Sequence, residues 1–79
     1  MSHATVRATI LPEIIKLICQ KNKVSEMKAM DMFYDSATGA NFADDNTGLY
    51  GQSPLYIYGL FETELNAVLE AEFKNGYQP

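Results

Sequence analysis

The sequence predicts a mainly α-helical protein: a small three-helix orthogonal bundle with an irregular connector rich in glycine and tyrosine. Three observations indicate this fold. The chain of 79 residues is long enough for one domain only. Apolar residues recur at helical spacing in three segments. A run of turn-forming residues separates the second segment from the third. We therefore expect a single domain over residues 1–79, ordered at about 5–74 and flexible at residues 1–4 and 75–79.

The first helix is predicted from Thr5 to Asn22. From Ile10 onward its apolar side chains span an arc of about 200°, which is wider than the apolar stripe of an ordinary surface helix. Such a helix lies at the centre of a bundle or packs against another chain. Pro12 leaves two alternatives, because proline either starts a helix, here near Leu11, or bends one that begins earlier. We favour a bent helix that begins near Thr5.

The second helix is predicted from Ser25 to Ser36. Ser25 suits the N-cap position, and Glu26 lies in the first turn, where the helix dipole favours an anion. Gly39 is predicted to follow the end of the helix as a C-terminal glycine. Met32 lies on the polar side, either as an isolated exposed residue or as a contact for a partner. The predicted apolar face consists of Met27, Met30, Phe33, Tyr34 and Ala37.

Residues 38–48 are turn-forming except for Phe42, which is expected to anchor the segment to the core. The acidic cluster at Asp44 and Asp45 resembles the start of a calcium loop. With Asp44 at loop position 1, however, Gly48 falls at position 5 instead of 6, and Leu55 falls at position 12, where a glutamate is required. Turn formation explains these residues, so the sequence predicts no metal site.

The segment from Gly48 to Leu65 holds three of the five tyrosines and has two interpretations. One helix from Pro54 to Phe73 would place Gly59 inside it, at a cost of about 1 kcal/mol relative to alanine. Alternatively, residues 55–58 form a short strand, Gly59 breaks the chain and a helix begins near Leu60. We favour the broken version, whose strand could pair with its own copy across a dimer axis. The candidate interaction surface consists of Leu49, Tyr50, Tyr56, Tyr58 and Met32, together with the exposed side of the first helix.

Charge is distributed unevenly within a net charge of −4. In residues 1–30, five basic residues against two acidic ones give +3, whereas in residues 31–79 one basic residue against eight acidic ones gives −7. The two halves are either solvated faces of opposite sign or a dipole that docks a basic partner through the second half. Five dispersed cations in an acidic chain make nucleic acid an unexpected partner.

The sequence predicts no membrane association and a cytoplasmic protein. No apolar run approaches the roughly 18 residues of a membrane span. The N-terminus lacks the basic start and continuous apolar segment of a secretory signal. The single cysteine, Cys19, suits a reducing compartment.

No enzymatic activity, catalytic residue or cofactor is predicted. The only histidine, His3, is expected to be solvated in a flexible terminus. Cys19 has no visible activating neighbour and is expected to be a small buried side chain. Tyrosines 50, 56 and 58 lack the neighbouring cations of a base-stacking platform, so core or interface roles are expected for them.

From Leu49 to Leu65 the order Leu-Tyr-Gly-Gln-Ser, followed by Tyr-Ile-Tyr-Gly-Leu-Phe, resembles a small bacterial family of uncharacterised short helical proteins. In that family a Leu-His-Thr-Gln-like turn precedes a Tyr-Ile-Val-like segment and a last helix. The similarity covers about residues 10–70, and this chain has Tyr50 where the pattern has histidine. The resemblance implies a binding protein, such as an adaptor or a neutralising partner of toxin-like proteins, and it implies no site.

Taken together, the sequence predicts a helical protein–protein interaction module that forms a homo-oligomer, such as a homodimer, or binds another protein. A domain of this size buries only about 60% of its unfolded surface. With one cysteine it has no internal disulfide, so association is the expected source of further stability. The alternative is a small nucleic-acid-associated regulator that uses the basic N-terminal half.

Overall fold

The computed structural model describes residues 3–76, with side chains from residue 3 to residue 72. Over that range the chain contains four α-helices, two 3₁₀ turns and no strand. The predicted mainly helical bundle is therefore confirmed. The connector contains one helix more than predicted, and the alternative of a short strand is not observed in the described range. The helices are α1 (Ala4–Asn22), α2 (Glu26–Asp35), α3 (Ala37–Ala43) and α4 (Pro54–Gly76).

Helix α1 follows the predicted longer version and carries Pro12 inside it. It ends at Asn22 and is capped by Lys23, whose backbone adopts the left-handed conformation (φ 56°) and whose amide donates to the carbonyl of Cys19 at 2.8 Å. It begins at Ala4, one residue before the predicted start at Thr5, and His3 contacts another part of the chain. Residues 1 and 2 lie outside the described range.

Helices α2 and α3 are joined at Ser36, which ends the first and caps the second. The predicted N-cap of α2 is confirmed, since the Ser25 side chain accepts from the amide of Lys28 at 3.1 Å. The predicted role of Gly39 is wrong: it lies inside α3 and is buried. A Cβ atom at Gly39 would stand 1.8 Å from the carbonyl oxygen of Phe33, so only glycine permits this close approach of α3 to the end of α2.

The connector is more helical than its turn-forming residues predict, because Ala37–Ala43 forms α3. Phe42 is 1% exposed, which confirms it as the anchor to the core. The acidic cluster forms a turn, in which a carboxylate oxygen of Asp44 accepts from the amide of Asn46 at 2.9 Å. Gly48 (φ 70°) then takes the left-handed conformation between the two 3₁₀ turns, Asp45–Thr47 and Leu49–Gly51.

Helix α4 is continuous, so the favoured broken version with a strand at residues 55–58 is wrong. The Ser53 hydroxyl accepts from the amide of Tyr56 at 3.1 Å and caps the helix at its start. Gly59 costs about 1 kcal/mol within the helix. Burial of Ile57, Tyr58 and Phe61 outweighs this cost, since each large apolar side chain contributes about 1.5–3 kcal/mol. The helix also continues to Gly76, beyond its predicted end at Phe73.

The core lies where α1 crosses α4 and α2. The wide apolar arc of α1 is central, as one of its two interpretations predicts, because Ile14 and Ile18 are fully buried. Phe33 is surrounded by aromatic rings, with ring centroids at 5.6 Å from Phe42 and 6.0 Å from Phe61. The buried apolar residues are Ile14, Ile15, Ile18, Ala29, Phe33, Phe42, Ile57, Tyr58 and Phe61.

Candidate interaction surface

The five residues of the predicted surface do not share one face. Leu49 and Tyr50 are half-buried against the core, and so is Met32. Tyr58 is buried. Tyr56 alone is well exposed, at 53%. Two of the three tyrosines in the predicted segment, Tyr50 and Tyr58, therefore pack against or within the core.

Tyr50 holds the N-terminus of α1 against the connector. Its ring lies 4.3 Å from that of His3, and its hydroxyl is 3.0 Å from His3 Nε2. The Arg7 guanidinium lies 5.8 Å from the centre of the Tyr50 ring and forms an ion pair with Asp45. The expectation of a solvated His3 is therefore wrong. These contacts have a structural role, because they join the first turn of α1 to the two 3₁₀ turns.

Tyr58 lies inside the bundle on the first half of α4. Its hydroxyl donates to a carboxylate oxygen of Glu62, one helical turn further on, at 3.2 Å. Burial, together with the neighbouring Glu62 carboxylate, raises the pKa of Tyr58 above its ordinary value. The neutral phenol is the form that the fold favours, so Tyr58 belongs to the interior rather than to a binding surface.

Met32 lies on the side of α2 that faces α4, and not on the outer side that the sequence predicts. It lines a shallow groove of about 190 Å³ together with Phe61, Leu65 and Val68. Met27 and Met30, which were predicted on the apolar face, are exposed instead, Met27 at 78%. The error arises from helix rotation, because Ala29 and Phe33 are the residues of α2 that reach the core.

The exposed residues near the start of α4 form a small apolar patch. Leu55 is 68% exposed beside Tyr56, and Leu60 is also exposed. This patch retains one residue of the predicted surface. Leu55 and Tyr56 lie next to each other near the N-terminal end of α4, and Leu60 lies one turn further along.

A groove of about 620 Å³ lies between α1 and α2 and is here called the α1–α2 groove. Leu11, Ile15 and Cys19 follow one another at spacings of four residues, so they form one stripe along α1. Val24 and Met30 add apolar atoms from the connector and α2. The polar lining residues are Glu13, Lys16, Gln20 and Glu26.

The sequence signal for this groove is the wide apolar arc of α1, whose exposed side was part of the predicted surface. The apolar arc of α1 is wide enough to face two directions. Helix α4 and the core side of α2 cover one part of it, and the stripe through Ile15 and Cys19 lies at the edge of the covered part. Met27, Met30 and Tyr34 are exposed at spacings of three and four residues on α2 and extend apolar surface along that helix.

Glu64 is the other residue whose role the sequence did not reveal. Its carboxylate accepts from the Ala37 amide at 2.7 Å, from the Thr38 amide at 2.8 Å and from the Thr38 hydroxyl at 2.7 Å. Burial favours a higher pKa, but these three donors outweigh it and hold the pKa of Glu64 below its ordinary value. The carboxylate thus caps the N-terminus of α3 from a different helix.

Two features of the described residues concern metal binding and buried polar groups. Over that range no three His, Cys, Asp or Glu side chains lie close enough together to hold a metal ion. No buried side-chain nitrogen or oxygen there lacks a hydrogen-bond partner. The α1–α2 groove is the apolar concavity on which the proposal below is based.

No protein-family model, curated protein or solved structure matches this chain. The resemblance drawn from residues 49–65 therefore stays a prediction. Among the described helices, none has the length and apolar character needed to cross a membrane.

Proposed function

We propose that this protein is a small acidic helical module whose function is protein–protein interaction. The observation that supports the proposal is the α1–α2 groove, which leaves a stripe of three α1 side chains facing a cleft of about 620 Å³. Grooves of this kind between helices accept the apolar face of an amphipathic helix from a partner. Methionine at the rim suits such binding, because its flexible, polarisable side chain adapts to the shape of the occupant.

The resemblance to short bacterial helical proteins agrees with this proposal. It implies an adaptor or a neutralising partner of toxin-like proteins, and either role requires a contact surface without catalytic chemistry. We propose the cytoplasm as the place of action, on the ground of the single free cysteine.

The direct test is site-specific photo-crosslinking in cells. A photoreactive amino acid replaces Met30, which lines the groove, and in a matched control it replaces Lys28, an exposed residue of α2 that does not line it. We expect a defined protein adduct, identified by mass spectrometry as this chain or one specific other protein, from position 30 and none from position 28. Equal yields from both positions, or no adduct from position 30, would contradict the proposal.

The second candidate function is contact with nucleic acid through the basic N-terminal half. Its support is the +3 charge of residues 1–30. Two of those cations lie beside carboxylates: Arg7 pairs with Asp45, and Lys16 shares the groove lining with Glu13 and Glu26. Fluorescence anisotropy with labelled duplex and single strands at low salt separates the two functions. Binding that weakens steeply with salt would favour the second candidate.

A further inference from the structure

The second half of α4 is the counterpart of the α1–α2 groove. From Asn66 to Glu72 every side chain is exposed. A helix of 23 residues is about 35 Å long, and the molecule measures 54 Å along its longest axis, so this end extends beyond the bundle. Leu65, Val68 and Leu69 lie on one side of it at spacings of three and four residues. The segment 65–72 is therefore an amphipathic helix with exposed apolar residues, here called the α4 tail.

We propose that the protein forms a homodimer in which the α4 tail of each copy lies in the α1–α2 groove of the other. This inference rests on the proposed function, since it names the occupant of the same groove. Both halves of the contact are present in one chain: an apolar cleft between two helices and a projecting amphipathic helix. A second copy supplies both at once.

The chemistry of the two surfaces is complementary. The tail offers the branched side chains Val68 and Leu69, and the groove offers the stripe of Leu11, Ile15 and Cys19. Side chains at spacings of three and four residues on one helix fit between those of another helix, as in ordinary helix packing. Met30 at the rim adapts its conformation to the incoming residues.

Charge selects this pairing over the simpler one in which two α4 tails pack against each other. The α4 tail carries Glu70 and Glu72 and no basic residue, so tail-to-tail pairing brings four carboxylates together. The groove lining holds Lys16 with Glu13 and Glu26, a net charge of −1, so a tail in the groove meets a cation and less negative charge than it would meet on a second tail.

A reciprocal exchange of α4 tails between two copies gives a closed dimer. A contact made in one direction only would leave one groove and one tail open, and further copies would add without limit. With a two-fold axis, the tail of each copy enters the groove of the other, and no apolar surface of either kind remains open. We therefore expect a dimer rather than a larger assembly.

The first experiment measures mass by light scattering over a range of concentrations. The wild-type chain is expected to have twice the mass of one copy. Met30→Asp places a carboxylate at the groove and Leu69→Asp places one on the tail, and each is expected to weaken dimerisation at least tenfold. Both residues are exposed in the single copy, so the fold tolerates these changes. Leu55→Asp, at an exposed residue outside both surfaces, is the control and is expected to remain a dimer.

Mixing the two variants tests reciprocity. The Met30→Asp chain keeps an intact tail, and the Leu69→Asp chain keeps an intact groove, so the mixture regains one of the two contacts. We expect heterodimers at concentrations where each variant alone is a monomer. Tail-to-tail pairing predicts no such recovery, because the Leu69→Asp copy would still bring its altered tail to the contact.

The second experiment uses the single cysteine of the chain, Cys19, which lines the groove. Leu69→Cys places a second thiol on the tail, and Ala67→Cys places one on another side of the same helix. With oxidised glutathione we expect Leu69→Cys to form a covalent dimer whose linked peptides contain residues 19 and 69. We expect Ala67→Cys to form several-fold less covalent dimer. Equal crosslinking, or a dimer linked only through residue 69 of both copies, would overturn the proposed pairing.

The outcomes separate this inference from the proposed function. A monomer at all concentrations overturns the homodimer, while a specific adduct with another protein from position 30 would still support an interaction module. A dimer that both Asp variants leave intact overturns the exchange of tails. A monomer that also gives no groove-specific adduct contradicts the inference and the proposed function together.

Discussion

The two halves of α4 contain similar apolar residues in different environments. In the first half, Ile57, Tyr58 and Phe61 are buried in the core. In the second half, Val68 and Leu69 are exposed, and so is every side chain from residue 66 to residue 72. The difference shows that burial is set by the helices that lie opposite and not by the apolar content of a segment. The first half has α1 and α3 beside it, and the second half extends beyond them.

Glu64 stands at the boundary between these halves. It joins α4 to the start of α3 by three hydrogen bonds, and beyond Leu65 no described side chain of α4 is buried. We therefore expect mutations before this boundary to change the free energy of unfolding of one copy. Mutations beyond it are expected to change association only.

The largest effect is expected from Phe61→Ala. Phe61 is 2% exposed and lies near the rings of Phe33 and Tyr58, so its removal leaves a large cavity. We expect the free energy of unfolding to fall by about 3–5 kcal/mol, measured by urea denaturation of the monomer.

Leu69→Ala is the matched control for that change, because it also truncates a large apolar side chain of α4. It is expected to alter monomer unfolding by less than about 0.5 kcal/mol, as surface substitutions usually do. If the two substitutions cost the same, the boundary between the two halves would be wrong.

Gly39→Ala tests the packing of α3 against the end of α2, the contact that Glu64 supports. The new Cβ would stand 1.8 Å from the Phe33 carbonyl oxygen, and backbone atoms must shift to admit it. We expect a loss of about 3 kcal/mol in unfolding free energy by chemical denaturation. A neutral result would mean that α3 does not approach α2 this closely.

Glu64→Gln tests the cap that fixes the boundary. The amide oxygen of glutamine still accepts, but the charge and one acceptor oxygen are lost, so the three donors at the start of α3 face one acceptor oxygen instead of two. We expect a loss of about 2 kcal/mol, measured by thermal or urea unfolding. Glu72→Gln, at an exposed residue of the same helix, is the control and should cost less.

The same carboxylate predicts a pH dependence. The folded-state pKa of Glu64 lies below its unfolded value, so its contribution to stability is fully present above the unfolded pKa. That contribution is lost as the pH falls through the folded pKa. Urea midpoints measured from neutral to acidic pH should therefore fall less in Glu64→Gln than in the wild-type chain. Parallel curves for the two proteins would contradict this account.

Much of the fold follows from local sequence signals. The cap at Ser25, the anchor Phe42 and the helical class were predicted because each depends on neighbouring residues or on periodicity. The break at Gly59 was wrong because burial of three side chains outweighs a local cost of about 1 kcal/mol. The misplaced Gly39 has the same origin, since a contact with Phe33 decides its role.

The candidate surface was harder to predict, because exposure depends on the rotation of each helix. One polar face was predicted for α2, and an error of about one residue (100°) moved Met32 inward and Met27 outward. The contacts of His3 with Tyr50 and of Glu64 with Thr38 join residues far apart in the chain. Periodicity carries no information about such pairs, whereas it did predict the wide apolar arc that places α1 at the centre of the bundle.

The smallest effect is expected from Gly59→Ala, which should stabilise the first half of α4, whereas the substitutions above destabilise the fold. Gly59 lies inside α4, and a Cβ atom there would meet no atom within 4 Å. Alanine removes the entropic cost of glycine without a clash, so we expect a gain of up to about 1 kcal/mol in unfolding free energy, measured by urea denaturation.

The control is Ala67→Gly in the tail, where local fraying is expected to absorb the change. Amide exchange beyond residue 65 should become faster while the urea midpoint stays constant. A fall in the midpoint for Ala67→Gly would show that the tail folds as one unit with the core, and the comparison between the two halves of α4 would then fail.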